Sequence, residues 1–374
     1  MHHFPATGEY YTEKSGIFFA ALTHYTDGGL KQSMDQTKNT TPIHDNLNAT
    51  LDEKLEPYYR IVDSLTAEIE KVVIGKHSTV SLLTAALLAG GHVLIEDVPG
   101  VGKTTLAASL ARAAGLSFKR AQFTPDVMAS DITGFNIYNR RSEEFEFREG
   151  LVMCNILLAD EINRASPKTQ SALLEAMEEC RVTVDGVTYN VPDPFMVIAT
   201  QNPTGFVGTY PLPEAQLDRF SVKIAMGYPS VEEEIAIIEN RRGINPADNI
   251  KPVTDEKTMR MLRQLAANVH IDEAIYKYIV LLVTATRKHP SLALGASPRA
   301  SLALMRMSQV WAFTHHRSYV LPEDVASIYH QTIAHRLILT QEAKLGRITA
   351  DNVLTEILRK TAVPYKSEAD GAKG

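Results

Sequence analysis

Between Leu51 and Val73 the apolar residues Leu55, Tyr58, Tyr59, Val62, Leu65, Ile69 and Val72 recur every three or four positions. That period keeps them on one face and predicts an amphipathic helix, which Ile74-Gly75-Lys76 separates from a second helix over about His77–Ala89. The period then shortens. His92–Ile95, Phe118–Phe123, Asn155–Asp160, Phe195–Thr200 and Ser221–Ala225 read as short strands, three of them with a continuous apolar middle (Val93–Ile95, Ile156–Ala159 and Phe195–Ala199). Between them, Thr105–Ala114 reads as a helix with Gly115 at its C-terminal cap, and Ser166-Pro167 opens another that runs to about Cys180. Strands alternating with helices predict a parallel sheet covered on both faces. Two alternating segments interrupt the pattern as hairpins. One pairs Phe135–Tyr138 with Phe145–Phe147; the other pairs Arg181–Val184 with Val187–Val191 across Asp185-Gly186, a strong turn signal.

Past Gly227-Tyr228-Pro229 the strand pattern fades. Val231–Arg241, Glu256–Asn268, Asp272–Lys288, Ser297–His315, Pro322–Leu337 and Asp351–Lys360 all read as helices. The predicted organisation is an α/β domain over 51–229 and a small all-α domain over 230–362. Residues 1–50 and 363–374 are polar without a sustained period and read as disordered. Met1 or Met34 can serve as the start.

Bulk composition narrows the class without naming a function. The chain has 374 residues, too many for one core, which agrees with two domains and a tail. A net charge of -6 argues against a general polyanion-binding surface. With only two cysteines, Cys154 and Cys180, neither a disulfide framework nor a zinc cluster can be built, and both read as reduced packing residues of a cytoplasmic protein. A long stretch without Asp, Glu, Lys or Arg, His77–Ile95, breaks at Gly90-Gly91 and carries several hydroxyls. It reads as a buried helix and strand, not a membrane span.

The chemistry gathers at the ends of the strands. Ile95-Glu96-Asp97-Val98-Pro99-Gly100-Val101-Gly102-Lys103-Thr104-Thr105 joins a strand to a helix through glycines. Gly100 and Gly102 let successive amides point at one centre. The helix N-terminus adds partial positive charge, Lys103 can reach terminal phosphates, and the Thr104 hydroxyl can ligate magnesium. Asp97 stands where such loops usually begin with glycine. Asp160-Glu161 closes an apolar strand, so one acid can hold a magnesium hydration shell and the next can orient and deprotonate a water. Asn202 follows another strand and could position the same water. Arg219 is a candidate charge donor to a transition state, or a surface arginine paired with Glu214 or Asp218. Arg299, opening a helix at Ser297-Pro298, suits a phosphate contact or an ordinary helix surface equally.

Glu96–Thr104, Leu158-Ala-Asp-Glu-Ile-Asn-Arg-Ala165, Ala199-Thr-Gln-Asn-Pro203 and Leu212-Pro-Glu-Ala-Gln-Leu-Asp-Arg-Phe220 together resemble the MoxR family of AAA-plus ATPases. The resemblance covers about Leu51 to Lys360. It implies a three-layer P-loop nucleotide-binding core and a helical lid. It assigns Lys103 and Thr104 to Walker A, Asp160 and Glu161 to Walker B, and Asn202 to sensor 1. Arg219 matches the arginine finger, Arg299 sensor 2, and Ile74-Gly75 an adenine-side segment. ATP and Mg2+ are the implied cofactors, bound along Val98–Thr105 with Asp160. Thr104 and Asp160 are the implied metal contacts. The family further implies a homo-oligomeric ring, usually hexameric, and chaperone-like work on client proteins that often carry a von Willebrand factor A domain.

Two other functions fit the same motifs. A nucleic-acid motor would want basic hairpin tips, whereas Asp185-Gly186 is acidic and Arg140-Arg141 is followed by Glu143-Glu144. A nucleotide-gated scaffold with little turnover would not need the set Glu161, Asn202 and Arg219.

Overall fold

The computed structural model describes residues 43–98, 100–201, 210–240 and 249–364. Helix α1 (Ile43–Glu70) begins ahead of the predicted Leu51, so residues 43–50, read from composition as disordered, are helical. From Leu51 onward the apolar period does what it predicts: Leu55, Tyr59, Val62, Leu65 and Ile69 are all buried. Helix α2 (His77–Leu88) is buried nearly all round, which explains its lack of charge.

The core sheet then forms. Strand β1 (Val93–Glu96) leads into α3 (Lys103–Ala113), followed by β2 (Phe118–Gln122) and the short helix α4 (Ala129–Thr133). Strands β3 (Gly134–Asn139) and β4 (Glu144–Glu149) make the first inserted hairpin. After β5 (Ile156–Asp160) comes α5 (Pro167–Glu179), where Ser166 accepts the Thr169 amide as N-cap and Pro167 takes the first helical position. The second hairpin pairs β6 (Arg181–Val184) with β7 (Val187–Asn190), and Asp185 and Gly186 both have positive φ, as a type I′ turn requires. Strand β8 (Met196–Gln201), helix α6 (Glu214–Leu217) and β9 (Val222–Ile224) complete the domain.

The five long-range strands order as β2-β5-β8-β1-β9, all parallel. Strand β8 therefore lies between β1 and β5. Val93 stands opposite both Ile198 and Val222, so β1 and β9 start level with one another, while β8 (from Met196) starts two residues earlier. Their side chains are buried on both faces, which accounts for continuous apolar runs instead of alternation.

The helical domain comprises α7 (Val231–Asn240), α8 (Glu256–Ala267), α9 (Glu273–Lys288), α10 (Pro298–Thr314), α11 (Pro322–Ile333), α12 (Gln341–Leu345) and α13 (Ala350–Lys360). It is not purely α. Strands β10 (Leu292–Leu294) and β11 (Ile338–Leu339) pair antiparallel. The segments leaving α9 and α11 run side by side, and pairing satisfies backbone groups that neither helix uses. The cysteines also differ from each other. Cys154 is buried and its thiol is pushed up to about 11 by that burial, whereas Cys180 is exposed at the end of α5. Among the described residues no helix is long and apolar enough to cross a membrane.

Candidate active site

The phosphate loop has the geometry its glycines predict. Gly100 and Gly102 adopt φ of 87° and 95°, and a Cβ at either would meet nothing within 4 Å. The glycines are needed for backbone conformation and for a free approach, since no neighbour crowds them. Gly102 caps α3, whose first turn carries Lys103, Thr104 and Thr105. Lys103 is buried and its Nζ donates to the Asp97 carbonyl at 2.7 Å. Burial lowers its pKa, opposed by the charges of Asp97, Asp160 and Glu161, which face the same space. Pro99 lies outside the described residues.

Asp97, where a glycine would be usual, is a structural tie. Its Oδ1 accepts the Val98 amide at 2.8 Å, and its Oδ2 accepts the amides of Met226 at 2.5 Å and Gly227 at 2.7 Å. The carboxylate thus joins the phosphate loop to the segment that leaves β9 for the helical domain. The same segment meets the turn at Ile74-Gly75. Lys76 Nζ donates to the Tyr228 carbonyl at 3.1 Å, and a Cβ on Gly75 would collide with Glu233.

The two acids at the end of β5 are held by β8. Thr200 donates its hydroxyl proton to Asp160 Oδ1 at 2.6 Å and accepts the Glu161 amide at 2.9 Å. Arg120 of β2 donates to Asp160 Oδ2 at 2.9 Å, and Arg164 lies 2.9 Å from Glu161 Oε2. Glu161 has a φ of 56°, in the left-handed region that non-glycine residues seldom occupy. Such strain persists where the surroundings impose it, here the Thr200 contact and the 3-10 turn that follows. Asn202 directly follows β8 but lies outside the described residues.

Arg219 and Arg299 are elsewhere. Arg219 Nε donates to Glu178 Oε2 at 2.8 Å, and Arg299 Nη2 donates to Glu178 Oε1 at 2.5 Å. Neither alternative partner of Arg219, Glu214 or Asp218, is used. Asp218 instead meets Arg336 at 2.9 Å and accepts the Ser297 hydroxyl at 2.7 Å. The height of this cluster follows from the sheet. The Ser221 amide donates to the His92 carbonyl, and the His92 ring donates to the Met177 carbonyl. Arg219 and Glu178 therefore stand level with the residue before β1. The phosphate loop begins after β1, an extended run of roughly 16 Å from His92 to Asp97.

Glu178, Arg120 and Thr200 carry no motif signal. The partners of Glu178 are 41 and 121 residues distant. Arg120 leaves only a faint trace, as one of two adjacent cations, with Lys119, in the short strand β2.

The residues fit a nucleotide with Mg2+. A loop of open, positive-φ glycines ahead of a buried lysine suits phosphates, and Thr104 with Asp160 supplies the hard oxygens that magnesium takes.

Comparison with known proteins agrees with this geometry. Residues 92–222 match the ATPase family associated with various cellular activities, and residues 284–357 match the AAA lid domain. The chain is 50% identical over 314 residues to the uncharacterized protein YeaC of Bacillus subtilis, covering 84% of this chain and 98% of that one. It is 44% identical over 306 residues to Chaperone MoxR1 of Mycobacterium tuberculosis, covering 79% and 81%. A crystal structure from Cytophaga hutchinsonii, of a protein assigned as an ATPase, superposes with TM-score 0.79 at 38% identity over 85% of this chain and 99% of that one. Fold and site define a AAA-plus core with a helical lid. The chain belongs to the MoxR family of AAA-plus ATPases.

Proposed function

We propose that this protein hydrolyses ATP with Mg2+ in a homo-oligomeric ring, a hexamer as is usual in the family, and uses the energy to remodel client proteins in the cytoplasm. Lys103 and the amides of residues 100–105 bind the phosphates, while Thr104 and Asp160 hold the metal, which neutralises phosphate charge when bound. Glu161, aided by Asn202, orients and deprotonates the attacking water. Val98 and Ile74-Gly75 line the nucleotide's other side.

The separation of the two edges of the sheet carries the oligomeric reading. An arginine level with the start of β1 cannot reach phosphates held beyond its end. Arg219 is useful only to the nucleotide of a neighbouring subunit, which requires a ring or filament of identical chains. The client reading is supported by the relative named Chaperone MoxR1 and by the β3–β4 hairpin. That hairpin exposes Phe135, Ile137, Tyr138 and Phe145, apolar side chains suited to protein contact. A client with a von Willebrand factor A domain follows from the family resemblance.

Mixed rings test the proposal. Arg219→Ala should bind ATP normally and lose turnover on the order of a thousandfold or more, the usual worth of an arginine finger. Lys103→Ala should lose binding. Mixing the two should restore activity, because an Arg219→Ala subunit keeps a sound phosphate loop and a Lys103→Ala neighbour still offers its arginine. No recovery despite demonstrated subunit exchange would refute the shared site.

A further inference from the structure

Among the described residues, Glu178 is the carboxylate that meets both arginines. Its two oxygens are divided between them, Oε2 to Arg219 and Oε1 to Arg299. The hydrogen bond from Arg219, then that from Arg299, holds its carboxyl below its ordinary pKa. The residue ends α5, whose position is fixed by the Met177 carbonyl on His92. Arg299 comes from the helical domain and Arg219 from the α/β domain. A second tie between the same elements, from Ser297 and Arg336 to Asp218, closes the junction independently of Glu178.

Two guanidinium groups drawn to one place repel each other unless an anion lies between them. Here the anion is supplied by a rigid helix end. Both arginine side chains remain partly exposed, at 28% and 44%, so the cluster faces outward and is not sealed in the core. An ordinary surface ion pair would contribute little to stability. What a bidentate acceptor between two arginines does supply is geometry.

We propose that Glu178 is a positioning residue that gathers Arg219 and Arg299 into one pair presented to the nucleotide of the neighbouring subunit. The inference rests on the shared-site reading above. It makes the lid arginine part of the same intersubunit contact as Arg219, and it makes Glu178 matter for turnover without touching the nucleotide.

The test is to which site Glu178 belongs, read by mixing full-length variants whose subunits exchange. Glu178→Ala alone should reduce kcat by about tenfold to a hundredfold while ATP affinity, followed with a fluorescent nucleotide, stays within about twofold. Mixed with Lys103→Ala it should regain activity. Mixed with Arg219→Ala it should not, because both variants damage the same side of the interface. Recovery with Arg219→Ala would overturn the proposal, since Glu178 would then serve its own subunit's site. Glu178→Gln guards against misfolding. It keeps the shape and one acceptor oxygen, and should show a smaller loss with the same pattern of recovery; unchanged turnover would overturn the role of the charge. The pair Arg219→Ala and Lys103→Ala is run alongside. If that pair fails to recover, the shared site itself is wrong. If it recovers and Glu178→Ala with Lys103→Ala does not, only the role of Glu178 falls.

Discussion

At the edge where β1 and β5 end, the acting groups belong to segments continuous with the strands themselves. Lys103 follows β1 through one loop, and Asp160 and Glu161 close β5. At the edge where β1 and β9 begin, Arg219, Arg299 and Glu178 come from three separate elements, joined across 41 and 121 residues of chain. The first edge is made by local sequence and can be assembled by one strand–loop–helix unit. The second exists only after the helical domain has docked. A site divided in this way ties catalysis to both domain docking and subunit contact, while nucleotide binding needs only the first edge.

The largest expected effects separate the edges by what they abolish. Lys103→Ala, on the phosphate edge, should abolish nucleotide binding. Glu161→Gln on that edge should keep binding and reduce turnover by about a thousandfold, within the range that general bases contribute. Equilibrium binding and steady-state hydrolysis of the two variants check this. An active Glu161→Gln would remove the residue from its role and leave the phosphate edge as a binding site alone.

The same contrast sets what could be read from sequence. The strands, both hairpins and the phosphate loop follow from patterns confined to short windows, such as the glycines before Lys103 or Asp185-Gly186 between alternating strands. Arg219 and Arg299 could be nominated but not joined, because nothing in a linear pattern places residue 178 between them. Thr200 shows a subtler loss: inside a buried strand it reads as a sheet former, yet its hydroxyl orders both acids. The β10–β11 pairing is invisible in sequence because it joins two- and three-residue segments that follow helices and are too short to show an alternating pattern. The start of α1 at Ile43 lies in a stretch that is polar and shows no sustained period, so sequence alone gives no sign of the helix.

Stability against pH sharpens the comparison at the second edge. His92 is buried, accepting the Val197 amide and donating to Met177, and burial lowers its pKa to about 4. His335, donating to the Phe220 carbonyl, is lowered to about 3, again chiefly by burial. Both are neutral when folded. An unfolded histidine titrates near 6.5, so below that pH the unfolded chain binds more protons than the folded one. Stability is then lost as pH falls from about 6.5 toward 4. Between pH 7 and pH 5 each histidine should cost roughly 2 kcal/mol, in a window where most carboxylates do not yet titrate. Urea unfolding at the two pH values measures the change, and His92→Gln should make the slope shallower. Equal stability at pH 7 and pH 5 would mean that these rings are not buried as neutral groups.

The smallest effect concerns Asp97, where the two edges come closest to exchanging rules. Judged by local pattern, Asp97→Gly should be harmless, since glycine is the commoner residue at that place in a phosphate loop. The contacts say otherwise. Its carboxylate is the acceptor for the amides of Val98, Met226 and Gly227, and Met226 is buried. Removing the acceptor strands at least the Met226 donor away from water, at about 1–3 kcal/mol, while Gly227 is exposed and can be solvated. Lys103 keeps its hydrogen bond, because it bonds the Asp97 main-chain carbonyl, which glycine retains, and loses only one of the three nearby negative charges. Asp97→Gly should therefore unfold about 2 kcal/mol more easily in urea and still bind ATP within a few-fold of the unchanged protein. Asp97→Asn, which keeps one acceptor oxygen, should fall between. A glycine variant of full stability would show that the phosphate edge is as locally made as its motif suggests. A variant of reduced stability and retained binding would show that this edge, too, is tied into the helical domain through a residue outside the usual pattern.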